Sequence, residues 1–171
     1  CDGVETAVAW QAAIEKADGP TSLILSRQGL PTIDRADEQL PMIARGGYVL
    51  KDSASVPEAI IIATGSEVTL ALAAADQLAA KGRSVRVVSM PSIDTFLAQD
   101  AAYQESVLPT DIAARVAVEA LHEESWFRFV GLSGCVVGMT SFGESAPGAV
   151  LFEHFGFTAN NIIETAKELI A

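Results

Sequence analysis

The stretch Leu23–Pro31 reads LILSRQGLP, and it places a guanidinium where an apolar run gives way to a loop. The run SLILSR predicts a buried strand, and Gly29 to Pro31 predicts the loop that ends it. A bidentate Arg27 at a strand's carboxyl end could take a phosphate or a carboxylate, because ligands of α/β sheets collect at that edge. Such a contact is worth about 1.5–3 kcal/mol. An internal salt bridge to Asp34 or Glu38 would satisfy the same charge, and the residues alone leave both readings open.

Other residues with chemical potential have structural explanations. ATGSEV, Ala63 to Val68, is a strand ending in Gly65 with Ser66 at a helix start, the layout that holds an anion on free backbone N–H groups. Glu67 supplies a negative charge to that turn internally, and Ser66 is a standard N-cap, so the capping reading is preferred. TSFGESAPG, Thr140 to Gly148, offers Ser145, but the Gly-x-Ser-x-Gly elbow is missing and no histidine stands as its base. Ser145 and Pro147 read instead as the cap and first position of a helix. His122 lies in a polar run expected at the surface, and His154 lies near a helix end where a cation is mildly favoured. The residues point to no catalytic, metal or cofactor site beyond Arg27.

Composition narrows the class. The chain has 171 residues, half of them hydrophobic, as expected of a globular protein. A net charge of -11, from 11 Lys and Arg against 22 Asp and Glu, argues against nucleic acid and anionic membrane surfaces as partners. No apolar window approaches the length of a membrane span. Cys1 and Cys135 are the only cysteines, so neither zinc nor a disulfide framework is indicated. Cys135 opens the apolar run CVVGMT and reads as a reduced, buried thiol, consistent with a cytoplasmic protein. The first residues, CDGVETAVAW, lack a signal peptide and read as a helix already in progress, as in a piece of a longer protein.

The elements that must position these residues follow from periodicity. A helix is predicted from about Val4 to Lys16, then the strand SLILSR, then a connection from Gln28 to about Gly47 with one helical turn around Glu38 to Ala44. Strands follow at Tyr48–Leu50, Ala59–Ala63, Val85–Met90, Arg115–Glu119 and Val136–Met139. Helical segments lie at Val68–Ala80, less regularly around Ile93–Leu108, at Ala146–His154 and at Ala159–Leu169, with a helical or irregular piece at Trp126–Val130. Alternating apolar strands and helices without hairpin signals predict a three-layer α/β/α domain with a mostly parallel sheet. Most of the aromatics, Trp126, Phe127, Phe129, Phe142, Phe152, Phe155 and Phe157, read as core, with part of that half able to face a partner subunit.

Taken in order, LILSRQGLP, ARGGYVLKD, ATGSEVTLALAA, VRVVSMPSIDTF, ESVLP, RVAVEA, GMTSFGESAPG and FGFTANNI resemble the C-terminal part of bacterial transketolases along essentially the whole chain. The resemblance implies thiamine-diphosphate enzymes that move a two-carbon ketol unit from a ketose phosphate to an aldose phosphate, acting as homodimers with Mg²⁺. It divides the chain into residues 1–35, the end of an aminopyrimidine-binding domain, a linker at 36–45, and a C-terminal domain at 46–171. That domain is a mixed five-stranded sheet, with Tyr48–Leu50 running antiparallel to the rest. It matches Arg27 to the arginine that helps bind the sugar phosphate. It places the catalytic, cofactor and metal residues upstream of Cys1, so a chain with these boundaries is expected to be inactive and to serve structural or dimer-supporting roles. LHE at Leu121–Glu123 departs from the family pattern, where many relatives begin a Gly-containing turn. Alternatives are a C-terminal segment of deoxyxylulose-phosphate synthase or of a 2-oxo acid dehydrogenase β chain, or a stand-alone module binding a small anion at Gly65-Ser66. The SRQ and FGESAP segments favour transketolase over its two relatives.

Overall fold

The computed structural model describes residues 1–171. Apolar residues clustered without polar interruption make the central strands, which need covering on both faces. β2, Ala59–Ala63, is buried along its whole length, and Ile60, Ile61 and Ile62 are each 0% exposed. Around it lie β1 (Tyr48–Lys51), β3 (Val85–Ser89), β4 (Arg115–His122) and β5 (Cys135–Met139), in the order β1-β3-β2-β4-β5. β1 pairs antiparallel with β3, Tyr48 facing Ser89, and every other pair is parallel.

Alternation along β2 sends successive side chains to opposite layers. Ile61 and Ala63 pack with α3 (Val68–Ala79) and α8 (Ala159–Leu169), where Ala71, Ala74 and Ala75 meet Ile162, Ile163 and Ala166. Ile60 and Ile62 pack with Phe96, Val107, Trp126 and Phe129 from the opposite layer, formed by α4 (Ile93–Leu97), α5 (Ala101–Val107) and α6 (Phe127–Val130). Each isoleucine buried in this way contributes about 1.5–3 kcal/mol. The three-layer mixed sheet expected from the sequence is therefore present. The helical segment at 93–108 divides in two because Asp100 caps α5, accepting from the Tyr103 amide. Gly46 has φ +85, and a Cβ there would lie 2.5 Å from the Phe96 nitrogen, so only glycine fits this entry to β1.

The remaining helices are α1 (Gly3–Glu15), the short α2 (Leu40–Ile43) and α7 (Gly148–His154). α1 packs Val4 and Val8 against the core, while Trp10 and Ile14 are 53% and 78% exposed.

Several sequence expectations are corrected. SLILSR is not a strand: residues 17–35 make no backbone–backbone hydrogen bond, and Ile24 is 96% exposed. A strand needs a neighbour, and this segment has none. The free edge of β1 is closed to it, because the Gln39 side-chain amide donates to the Val49 and Leu50 carbonyls at 2.9 Å each. Cys135 is exposed rather than buried, since it opens the other edge strand. Phe127 and Phe142 are exposed while Trp126, Phe129 and Phe157 are core. β4 runs on to His122, into the Leu121-His122-Glu123 departure, with an irregularity in its pairing to β5 after Val118.

Candidate functional site at the carboxyl edge of the sheet

The parallel strands end on one edge at Ala63, Ser89, His122 and Met139, and the antiparallel β1 begins there at Tyr48. The chain's own N-terminal segment is folded onto this edge. Asp2 caps α1, accepting from the Glu5 amide at 3.1 Å, and also accepts from the Ile33 amide at 2.9 Å and from Arg35 Nη1 at 2.7 Å. Arg35 Nε donates to the Tyr48 hydroxyl at 2.8 Å, and that hydroxyl donates to Glu5 at 2.9 Å. The Ser89 hydroxyl donates to the same Glu5 oxygen at 2.6 Å. The Cys1 amino group is also paired with Glu5. All these side chains are buried, Arg35 to 1%.

Burial alone would raise the Asp2 carboxyl, but the Arg35 guanidinium and the Ile33 and Glu5 amides outweigh it and hold the group below the usual range. Burial likewise pulls the Arg35 guanidinium down, and its bonds to Asp2 and Tyr48 more than restore it. The Tyr48 phenol is pushed up, first by burial and then by the Glu5 carboxylate.

Beside this cluster, residues 22–30 lie against the turn after β2. A cavity of about 260 Å³ separates them, lined by Asp2, Thr6, Ser26, Gln28, Leu30 and Gly65 among others. Two stretches singled out from the sequence, SRQ and GSE, are thus neighbours. Arg27 is exposed and makes neither hydrogen bond nor ion pair; neither Asp34 nor Glu38 takes its charge.

The GSE turn itself is not an open anion cradle. The chain leaves β2 toward the α3 layer and β4 toward the α6 layer, which opens a crevice between the two strands. The Glu67 side chain fills it, accepting from the Ala120 amide at 3.2 Å and the Ser66 hydroxyl at 3.1 Å. Burial pushes the Glu67 carboxyl up. Glu119, bonded to the Trp126 indole, is pushed up too, by burial and by Glu67. The internal negative charge read in the sequence is present, but Ser66 is not an N-cap: its hydroxyl serves Glu67, and no side chain caps this turn. Gly65 takes φ +54 there.

The other candidates stay apart. Ser145 is exposed and does not cap α7, which starts at Gly148 after Pro147. His122 is exposed, its Nδ1 accepting from the Glu124 amide at 3.4 Å, on the wall of an apolar groove with Leu121, Met139 and Phe142. His154 is exposed in the last turn of α7, edge-on to the Phe155 ring. No three His, Cys, Asp or Glu side chains converge as metal ligands. The carboxylates at this edge are already taken, Asp2 by Arg35 and the Ile33 amide, Glu5 by the Tyr48 and Ser89 hydroxyls, and Glu67 by Ser66 and the Ala120 amide, so as placed they do not fit a metal ion. The buried Asp2–Glu5–Arg35–Tyr48–Ser89 cluster was missed from the sequence. Its one local signal is the Asp2 and Glu5 spacing, the pattern of a helix cap at the start of α1, and Arg35 is joined to it only by the fold.

The transketolase-like TK C-terminal domain model matches residues 46–158. Transketolase 1 of Escherichia coli strain K12 is 62% identical over 170 residues, covering 99% of this chain and 26% of that protein. Transketolase from Leishmania mexicana superposes with a TM-score of 0.88 at 37% identity, covering 99% of this chain and 24% of that one. A structure described as a split gene transketolase, an inactive β4 tetramer, superposes with a TM-score of 0.74 at 26% identity, covering 99% of this chain and 56% of that one. The chain spans about a quarter of the length of the curated relatives it matches. With its five-stranded mixed sheet and a family match over most of its length, the chain belongs to the transketolase family, of which it carries the C-terminal domain.

Proposed function

We propose that this chain is the C-terminal part of a transketolase. The whole enzyme would transfer a two-carbon ketol unit from a ketose phosphate to an aldose phosphate, using thiamine diphosphate and Mg²⁺ held by other parts of the protein. In this reading residues 1–35 end an aminopyrimidine-binding domain, 36–45 link, and 46–171 form the C-terminal domain. The start of the family match at Gly46 supports the division. The enzyme would act in the cytoplasm, in the pentose phosphate pathway, as a homodimer. Alone, the chain would be a structural and dimer-supporting piece without activity, in keeping with the tetramer named inactive among its structural relatives.

Arg27 is the residue proposed to touch substrate, as the ligand of the sugar phosphate. The observation that carries this is its free guanidinium beside the carboxyl edge of the sheet, where the alternative partners Asp34 and Glu38 do not reach it. The apolar face of the same segment, Ile24 and Leu25, and the outward Trp10 and Ile14 of α1 are the surfaces a neighbouring sheet and helix layer would cover. In the protein made from the complete reading frame, Arg27→Ala is expected to raise KM for phosphorylated sugars roughly 10- to 150-fold, the loss of one charge-assisted contact. Unphosphorylated analogues should change little. Equal effects on both would reject the phosphate role. Calorimetric titration of the 171-residue chain with sugar phosphates, nucleotides and phosphate should give no heat, because Glu67 already fills the crevice of the GSE turn.

A further inference from the structure

We infer that Glu67 and Glu119 form one proton-operated latch, in which a single proton shared by the two carboxylates keeps the end of β4 closed on the turn after β2. The ladder between β2 and β4 ends at the Ala63–Val118 pair. Just beyond it, the Ala120 amide has the Glu67 carboxylate as its acceptor, at 3.2 Å. Glu67 comes from the turn that leads into α3 and is 4% exposed. Glu119 is half-buried and accepts from the indole of Trp126, which packs in the α6 layer. The two carboxylates therefore connect the turn, the strand end and both helix layers where the β2–β4 ladder stops.

Neither carboxylate has a cation within ion-pair distance. Two like charges in a crevice shielded from water repel, and one proton relieves them. Burial pushes the Glu67 carboxyl up, while the Glu67 and Ala120 amides, the Ser66 hydroxyl and the Cys1 amino group pull it down. That amino group is itself paired with Glu5. Burial pushes Glu119 up as well, the Trp126 indole opposes the push, and the Glu67 charge adds to it. The neighbouring ionisable groups sit on the rim: His122 and Glu124 are exposed, and Glu123 lies against Gly138. Closure is thus fully present below about pH 4.3, the ordinary glutamate value, and is lost as pH rises through the raised folded values. Loss of the last proton leaves both charges in the crevice. Glu67, on the turn entered through Gly65 at φ +54, is then the group free to swing out and release Ala120. Beyond the latch, Leu121 and His122 wall the apolar groove with Met139 and Phe142, so the proton state of the pair reaches that surface.

Carboxyl carbon-13 NMR titration of the 171-residue chain tests the latch, with Glu67→Gln and Glu119→Gln as the variants. Glutamine keeps an oxygen for the Ala120 amide or the Trp126 indole and removes the charge. In the unsubstituted chain each carboxyl should titrate in two steps, because the steps belong to the pair. Glu67→Gln should lower the proton affinity of Glu119 roughly tenfold, and Glu119→Gln that of Glu67 by the same factor, since coupling is reciprocal. Hydrogen exchange of the Ala120 amide, divided by its intrinsic rate at each pH, should accelerate across the upper step. Glu119→Gln, which keeps the bond from Ala120 to Glu67, should abolish that acceleration. Should Glu67→Gln not fold, Glu119→Gln alone supplies both readouts. Single-step titrations unmoved by the substitutions are what burial without coupling gives, and they would overturn the shared proton. Coupled titrations with Ala120 exchange independent of the upper step would overturn the latch.

Discussion

Leu23-Ile24-Leu25 and Ile60-Ile61-Ile62 are nearly the same tripeptide, and they have opposite fates. The second is the centre of the sheet, each residue 0% exposed, with β3 on one side and β4 on the other. The first has Ile24 96% exposed and no strand beside it. The β-branched Ile60–Ile62 run has the higher strand propensity, but both runs are wholly aliphatic, and the larger difference is whether the chain supplies partners for the backbone and both faces. The exposed segment keeps its place by polar ties at its ends, and the buried one by packing along its length. The two regions should therefore break differently.

The largest effect is expected from the polar side. Arg35→Ala leaves the Asp2 and Glu5 carboxylates buried without their guanidinium and should cost about 3–5 kcal/mol. Urea denaturation of the 171-residue chain measures it, and a cost near zero would mean the cluster is not shielded from water. On the apolar side, Ile61→Ala should cost about 2–5 kcal/mol, whereas Ile24→Ala should stay within about 0.5 kcal/mol. Similar costs at the two sites would show that Ile24 is packed in solution, contrary to its exposure in the structure.

A smaller effect distinguishes the regions by pH. The Asp2 carboxyl is held below its ordinary range, so its contribution is fully present above about pH 3.9 and is lost as pH falls through the lower folded value. Glu67 and Glu119 are pushed the other way, chiefly by burial. The folded state then holds protons the unfolded state has released. Their charge costs stability above the folded values, and acidification toward about pH 4.3 relieves it. Thermal midpoints should rise slightly on mild acidification and then fall at lower pH. Glu67→Gln should flatten the rise and spare the fall. A midpoint that only falls from neutral pH downward, in the unsubstituted chain, would contradict the raised carboxyls.

Much of the architecture was legible because the strands announce themselves twice, by apolar runs and by the breaks after them. Ala59–Ala63 and Ala159–Leu169 match their expected bounds, and the antiparallel Tyr48 strand stands where the resemblance put it. Edges were less legible. Cys135 has the apolar neighbours of a central strand, and only the sheet order makes it an edge residue in contact with water. Ser66 and Ser145 have capping sequence patterns, yet neither caps, because Glu67 claims one hydroxyl and α7 begins after Pro147.

At the candidate site, the sequence by itself determined the residue types: an arginine after an apolar run, a glycine turn after a strand, a carboxylate in the following turn. Those depend on local order and on backbone geometry, which neighbours in the chain dictate. Tertiary structure alone decided that SRQ lies against the GSE turn and that Arg27 is free while Arg35 is enclosed. It also decided that Asp2 meets a residue 33 positions away. Such pairings bring together groups whose separation along the chain carries no period, and burying a charge is tolerable only where the fold delivers its partner.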